Sequence, residues 1–301
     1  MRHHTSHLLR RSTVLISTLI LSSSLTLAAE RSLSRIDIRH AQLNVEVWES
    51  NTEDSETIIA LPGSGGDVSR YKYLAPLLAD AGYRVIAVNQ RGIKGSTGEL
   101  EGLTLHDYAA DVAAIIDVLE LQKVHLLGWA LGNRTSRVVA TDFPEKVASI
   151  SLIAAGGLVR PLTEPGELGR LLGESGIPEE EKVQLARRTL FSPETDDAMV
   201  REYARDLKYW PAARNSQRQA NRNTALEQWW AGGTGPMLIV QGMDDKTAPP
   251  ENGRRMKIEF GERITLVNLQ GAGHAMGLEK PQETADAILS FLVKYPITPP
   301  N

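Results

Sequence analysis

Gly128-Trp129-Ala130-Leu131-Gly132 stands between an apolar, partly β-branched stretch, Lys123-Val124-His125-Leu126-Leu127, and a segment from Asn133 to Phe143 that carries Val138, Val139 and Ala140 at near-helical spacing. Strand length before and helical period after predict a strand, a tight turn and a helix. Glycine on both sides of the turn implies that neighbouring backbone crowds it, and the middle residue, Ala130, is the one such a turn holds clear of a sheet. A bare pair of glycines four apart also occurs in ordinary turns, so partners further along the chain must decide its meaning.

Such partners occur, and in a definite order. Met237-Leu238-Ile239-Val240-Gln241-Gly242 reads as a buried strand, with Met243 to Pro249 as the loop at its carboxyl end. Ile264 to Leu269 forms a further strand, followed by Gly271-Ala272-Gly273-His274. Glycine-framed turn, acid and histidine therefore come in that order, each after a strand. The order is the one found in α/β-hydrolases and differs from the two familiar protease orders.

On these residues the chain after about residue 35 resembles the α/β-hydrolase superfamily. Ile58-Ile59-Ala60-Leu61-Pro62-Gly63-Ser64-Gly65-Gly66 is similar to the strand and oxyanion loop of that family, with Pro62 where relatives usually have histidine. Val85 to Gly92 is similar to the next strand and its Arg-Gly turn, and Gly242-x-x-Asp245-x-x-x-Pro249 matches the acid loop. The resemblance implies that Asp245, rather than Asp244, is the acid, that His274 is the base, and that the backbone amides of Ser64 and Leu131 form the oxyanion hole. It also implies a nucleophile at position 130, where this chain has a methyl group. Some members carry Gly-His-Ala-Leu-Gly at the elbow, aminoacrylate hydrolases of pyrimidine breakdown among them, and this chain resembles them, with Trp129 in place of that histidine. Trp129 is expected to border the cleft.

The fold class expected is α/β: a mostly parallel sheet with helices on both faces and a helical cap insertion. Arg35 to Ser50 alternates apolar and polar residues, suggesting an antiparallel opening pair. Leu105 to Leu121 is an amphipathic helix with Tyr108, Val112, Ile115, Ile116 and Leu119 on one stripe, and Asp107 and Asp111 near its start favour the helix dipole. Val147 to Ala155 is another strand. From about Leu158 to Gly235 the alternation stops, and helices are expected at 167–172, 178–191, 196–210 and 213–227. Helices at 250–259 and 282–293 close the domain, and 296–301 is expected to fray.

Composition narrows the setting. Of 301 residues 42% are hydrophobic and 23% charged, enough for one large core. Residues 1–29 differ in kind, with Arg2, Arg10 and Arg11 ahead of a modest apolar run ending in Thr26-Leu27-Ala28-Ala29. That is the layout of a secretory signal peptide with cleavage after Ala28 or Ala29, which predicts an exported protein of residues 30–301 with no stable membrane anchor. With no cysteine, stability must come from burial alone. The net charge of −4 becomes −7 once the three leader arginines are gone, which argues against nucleic-acid binding. No metal or nucleotide cofactor is expected, because no H-E-x-x-H, Walker loop or dinucleotide glycine fingerprint occurs.

Several functions fit a vacant elbow. A water activated by His274 and Asp245 could attack an ester, lactone, amide or enamine-like centre. Alternatively the chain is a small-molecule binder or receptor on a hydrolase scaffold, or its elbow serine was replaced by engineering. Ser64 and Ser136 are remote substitutes for the nucleophile. Arg201, Arg205, Lys208, Arg214, Arg218 and Arg222 either form a solvated helix face or recruit an anion. Trp210, Trp229 and Trp230 belong either to core or to pocket.

Overall fold

The structure, a computed structural model, describes residues 30–297. The expected signal segment lies outside these residues, as do positions 298–301 of the expected tail. Ile297, within that tail, donates its N–H to the Glu56 carboxylate.

Eight strands form one sheet: β1 (Arg31–Ile38), β2 (Ala41–Trp48), β3 (Thr57–Leu61), β4 (Arg84–Val88), β5 (Val124–Trp129), β6 (Val147–Ile153), β7 (Met237–Gly242) and β8 (Ile264–Leu269). Their order is β1-β2-β4-β3-β5-β6-β7-β8. β2 runs antiparallel to β1 and β4, and every later pairing is parallel. This is the α/β-hydrolase architecture expected from the sequence.

Parallel strands need cover on both faces, and the residues alternate accordingly. Ile58 and Ala60 of β3, Leu127 and Trp129 of β5, and Leu238 and Val240 of β7 pack with α1 (Leu74–Asp80) and α10 (Pro281–Leu292). Ile59 and Leu61, Leu126, and Met237 and Ile239 pack on the other side with α2 (Leu105–Val118), α3 (Leu131–Asp142) and α8 (Glu251–Phe260). All five residues of β3 are buried. Burial of each such aliphatic side chain contributes roughly 1.5–3 kcal/mol.

α2 begins where Thr104 donates both its backbone N–H (2.8 Å) and its hydroxyl (2.6 Å) to the Asp107 carboxylate. It ends three residues earlier than expected, since Glu120 adopts a left-handed φ of 54°. Asp111 is not a dipole partner at the surface. It is buried and takes two bonds of 2.6 Å from the Arg91 guanidinium, which ties the turn after β4 to α2.

Between β6 and β7 lie α4 (Glu167–Gly173), α5 (Glu179–Thr189), α6 (Asp197–Asp206) and α7 (Pro211–Asn223). α6 stops before the expected Trp210, with Leu207 already extended, and Trp210, directly before Pro211, is itself held out of the helical region. α7 starts earlier and stops sooner than expected. Pro211 suits a first helical turn, and Thr224 leaves the helix to accept the Leu105 N–H through its hydroxyl.

The β5–α3 turn explains its glycines. A Cβ on Gly132 would lie 1.9 Å from the Leu61 carbonyl oxygen, and one on Gly128 would lie 2.4 Å from the Asn133 Cα. Both obstacles are backbone and cannot rotate away. Gly132→Ala is expected to destabilise the protein by about 3 kcal/mol or more in urea unfolding. A loss below ~1 kcal/mol, the level of an ordinary surface change, would show that α3 can slide off β3.

Candidate active site

One residue makes the turn. β5 ends at Trp129, α3 begins at Leu131, and Ala130 between them has φ 52° and ψ −110°. Such a conformation in a residue with a Cβ costs on the order of 1–3 kcal/mol and persists only where the surroundings enforce it. Here the Ala130 N–H donates to the Ile153 carbonyl (3.2 Å) and the Asn133 N–H donates to the Ala130 carbonyl (3.2 Å). The methyl group faces a cavity of about 470 Å³.

The structure brings the other two segments to the same cavity. Asp245, in the loop after β7, accepts from the backbone N–H groups of Thr247 (2.9 Å) and Ala248 (2.7 Å) through one oxygen. Its other oxygen accepts from His274 Nδ1 at 2.9 Å. Both side chains are buried, and His274 lines the cavity with Ala130. With the proton on Nδ1, the free lone pair is on Nε2. Asp244 points elsewhere and accepts from the Ser192 hydroxyl at 2.6 Å.

The histidine loop is fastened on two sides. Trp129 Nε1 donates to the His274 carbonyl at 2.8 Å, so the residue beside the elbow also holds the histidine in place. Glu279, in the short helix α9 (Met276–Glu279), accepts from Gly273 N–H (2.9 Å), Ser192 N–H (2.7 Å) and the Thr195 hydroxyl. Burial pushes the Glu279 carboxyl up, against the pull of those three donors.

The loop after β3 lies against the elbow: a Cβ on Gly63 would stand 3.2 Å from the Ala130 Cβ. Gly65 N–H donates to Gln217 Oε1 of α7 (2.8 Å), Gly66 N–H to the Gly63 carbonyl (2.9 Å), and Gln217 Nε2 to Gln90 Oε1 (2.8 Å). Among the described residues the N–H groups of Ser64 and Leu131 donate to no acceptor. The Ser64 hydroxyl is likewise buried without a partner. Two amides and one hydroxyl thus border the cavity beside the elbow, as an oxyanion site requires.

Other candidates separate cleanly. Ser136 is buried within α3 and does not line the cavity. Trp210, Trp229 and Trp230 do not line it either, and the last two are core. Arg201 and Arg205 pair with Glu180 and Asp206 on the surface, whereas Arg218 and Arg222 do line the cavity. Sequence reasoning missed Gln217, Arg70 and Arg134. Gln217 left one trace: it shares the buried face of α7 with Ala213 and Ala220, where a polar side chain must have a partner. Among the described residues no His, Asp and Glu cluster could hold a metal ion, and no helix is long and apolar enough to cross a membrane.

Comparison with known proteins agrees with this architecture. The model of the alpha/beta hydrolase family matches residues 58–287. A dihydrolipoyllysine-residue acetyltransferase component of the acetoin cleaving system of Pseudomonas putida is 28% identical over 82% of this chain, which spans 66% of that longer protein. A protein provisionally named carbamate hydrolase RutD, from Variovorax paradoxus (strain S110), is 26% identical over 80% of this chain and 93% of its own. The crystal structure of E-2-(acetamidomethylene)succinate hydrolase superposes with a TM-score of 0.70 at 23% identity, covering 88% of this chain and 100% of that one. The chain belongs to the alpha/beta hydrolase family and is a hydrolase of that fold.

Proposed function

We propose that the protein hydrolyses a small carbonyl-type compound, an ester, lactone, amide or enamine-like molecule, by direct attack of water rather than through a covalent enzyme intermediate. The observation that carries this reading is the buried His274–Asp245 hydrogen bond of 2.9 Å on the wall of the cavity that Ala130 also lines. A protein that only packed or bound would have little use for an imidazole oriented by a carboxylate and facing a cavity.

In this mechanism a water stands where an elbow hydroxyl would project. Its oxygen attacks the carbonyl carbon as its proton passes to His274 Nε2, and Asp245 supports the imidazolium that forms. The Ser64 and Leu131 amides hold the carbonyl oxygen as it becomes negative. When the tetrahedral species collapses, the proton returns from Nε2 to the leaving group. General-base help of this kind contributes roughly 10²–10⁴-fold, and one oxyanion donor about 10²–10³-fold. The hydrolytic name of the Variovorax relative is of the same reaction class.

His274→Ala is expected to lower kcat/KM for activated esters or lactones by roughly 10²–10⁴-fold. Equal rates in the two proteins would sink the mechanism, and tight ligand binding without turnover would favour a receptor. Ala130→Ser should gain covalent labelling by a serine-directed fluorophosphonate that leaves the parent protein unlabelled. Labelling of the parent would reveal another nucleophile. Gln217→Leu leaves Gly65 N–H unpaired and frees the oxyanion loop, so kcat should fall about tenfold with the fold retained in circular dichroism. An unchanged kcat would mean that the loop holds its shape without α7.

A further inference from the structure

Five arginines line the cavity: Arg70, Arg134, Arg160, Arg218 and Arg222. No aspartate or glutamate does. The rest of the molecule differs, because the chain carries a net charge of −4 and most of its other described arginines find carboxylates, as Arg187 finds Asp197 and Arg188 finds Glu167. Among the described residues none of the five cavity arginines makes an ion pair.

Helix α7 carries the anomaly in its sequence. Its thirteen residues include Arg214, Arg218 and Arg222 at successive intervals of four and no acid. Like charges four apart on one helix face repel, so this ladder weakens the helix in isolation. Burial and the charge of Arg218 both pull the Arg214 pKa down.

Of the five, Arg134 sits on the helix that begins at the elbow and is set back from solvent. It lies four residues past Ala130 on α3, about 6 Å along the helix axis. One of its terminal nitrogens donates to Asn221 Oδ1 of α7, and its guanidinium lies over the Trp229 ring at 5.0 Å. These contacts fix its plane without neutralising it. Burial pulls its pKa down to about 10, so it still carries its charge at neutral pH. A desolvated cation with no counter-charge is costly unless an anion meets it.

We propose that the cavity selects small organic carboxylates: the carboxylate of the ligand pairs with Arg134, Arg218 and Arg222 draw it in from the mouth, and its apolar body lies against Leu158, Leu168 and Leu172. The proposal rests on the cavity being the substrate site of the hydrolysis described above. A carboxylate is preferred over a phosphate because Asn221 occupies one nitrogen of Arg134. The guanidinium edge that remains matches two coplanar oxygens, the pairing for which arginine is suited. Five cations in a concave site also raise the local concentration of anions before contact.

The test uses binding, so that it stands apart from turnover. Isothermal titration of the whole protein with 4-phenylbutyrate and with 4-phenylbutyramide should give at least tenfold tighter binding of the acid, an advantage that shrinks as salt is added. Arg134→Gln should weaken the acid about tenfold or more and leave the amide unchanged, with Arg134→Lys between. Since Arg134 packs on Trp229 and its loss could disturb folding, the double variant Arg218→Gln/Arg222→Gln, altered only at exposed positions, should weaken the acid three- to tenfold. Arg201→Gln, at a surface pair, should change nothing. Equal affinity for acid and amide in the parent protein overturns the proposal, and phenyl phosphate binding more tightly than the acid overturns the choice of carboxylate. A preference for the acid in a protein that hydrolyses nothing leaves this inference standing and removes the proposed reaction. Hydrolysis that ignores the charge does the reverse.

Discussion

The molecule is organised around a backbone contact: α3 starts so close to β3 that Gly132 has only hydrogen where a Cβ would lie 1.9 Å from the Leu61 carbonyl oxygen. That approach forces the chain to reverse over a single residue and holds Ala130 at its positive φ. It brings the first turn of α3, with its unsatisfied N–H groups, beneath the cavity. It also presses the Gly63 loop against the elbow. None of this depends on the side chain at position 130, which is why an alanine elbow retains the frame of a serine one.

The distribution of charge divides the protein into two regimes. Away from the cavity, buried ions are matched, as in the two-pronged pairing of Arg91 with Asp111. Near it, cations are held by neutral groups. Arg137 is fully buried and donates to Asn133 Oδ1 (2.6 Å) and the Gly156 carbonyl (2.7 Å), with its guanidinium 4.6 Å from the Trp229 ring. Burial, together with the charge of Arg134, drives its pKa well down. The buried Trp229 ring is thus shared by two guanidinium groups, those of Arg134 and Arg137.

The sheet was legible because alternation and β-branching write strands plainly, and because turn, acid and histidine each come after a strand. The Asp245–His274 contact was implied by the family resemblance of the two loops, and it agrees with the rule that loops at the carboxyl ends of parallel strands gather on one edge of the sheet. Helix ends were harder to read. Residues 224–227 continue an acceptable helical composition, yet Thr224 leaves α7 for a tertiary bond to Leu105 that no local propensity encodes. The same limit hid Arg134 and Gln217. Their importance arises from partners 87 residues away in one case and 152 in the other, and a single chain of letters does not show such pairings.

The bond from Gln217 to Gly65 makes α7 a shared part, for the same helix bears Arg218 and Arg222 at the rim and Asn221 against Arg134. Lifting this helix to enlarge the doorway would pull the glycine loop away from the elbow at the same stroke. One side-chain amide on α7 thus ties the rim of the cavity to the loop beside the elbow, so a change that displaces the helix reaches both at once.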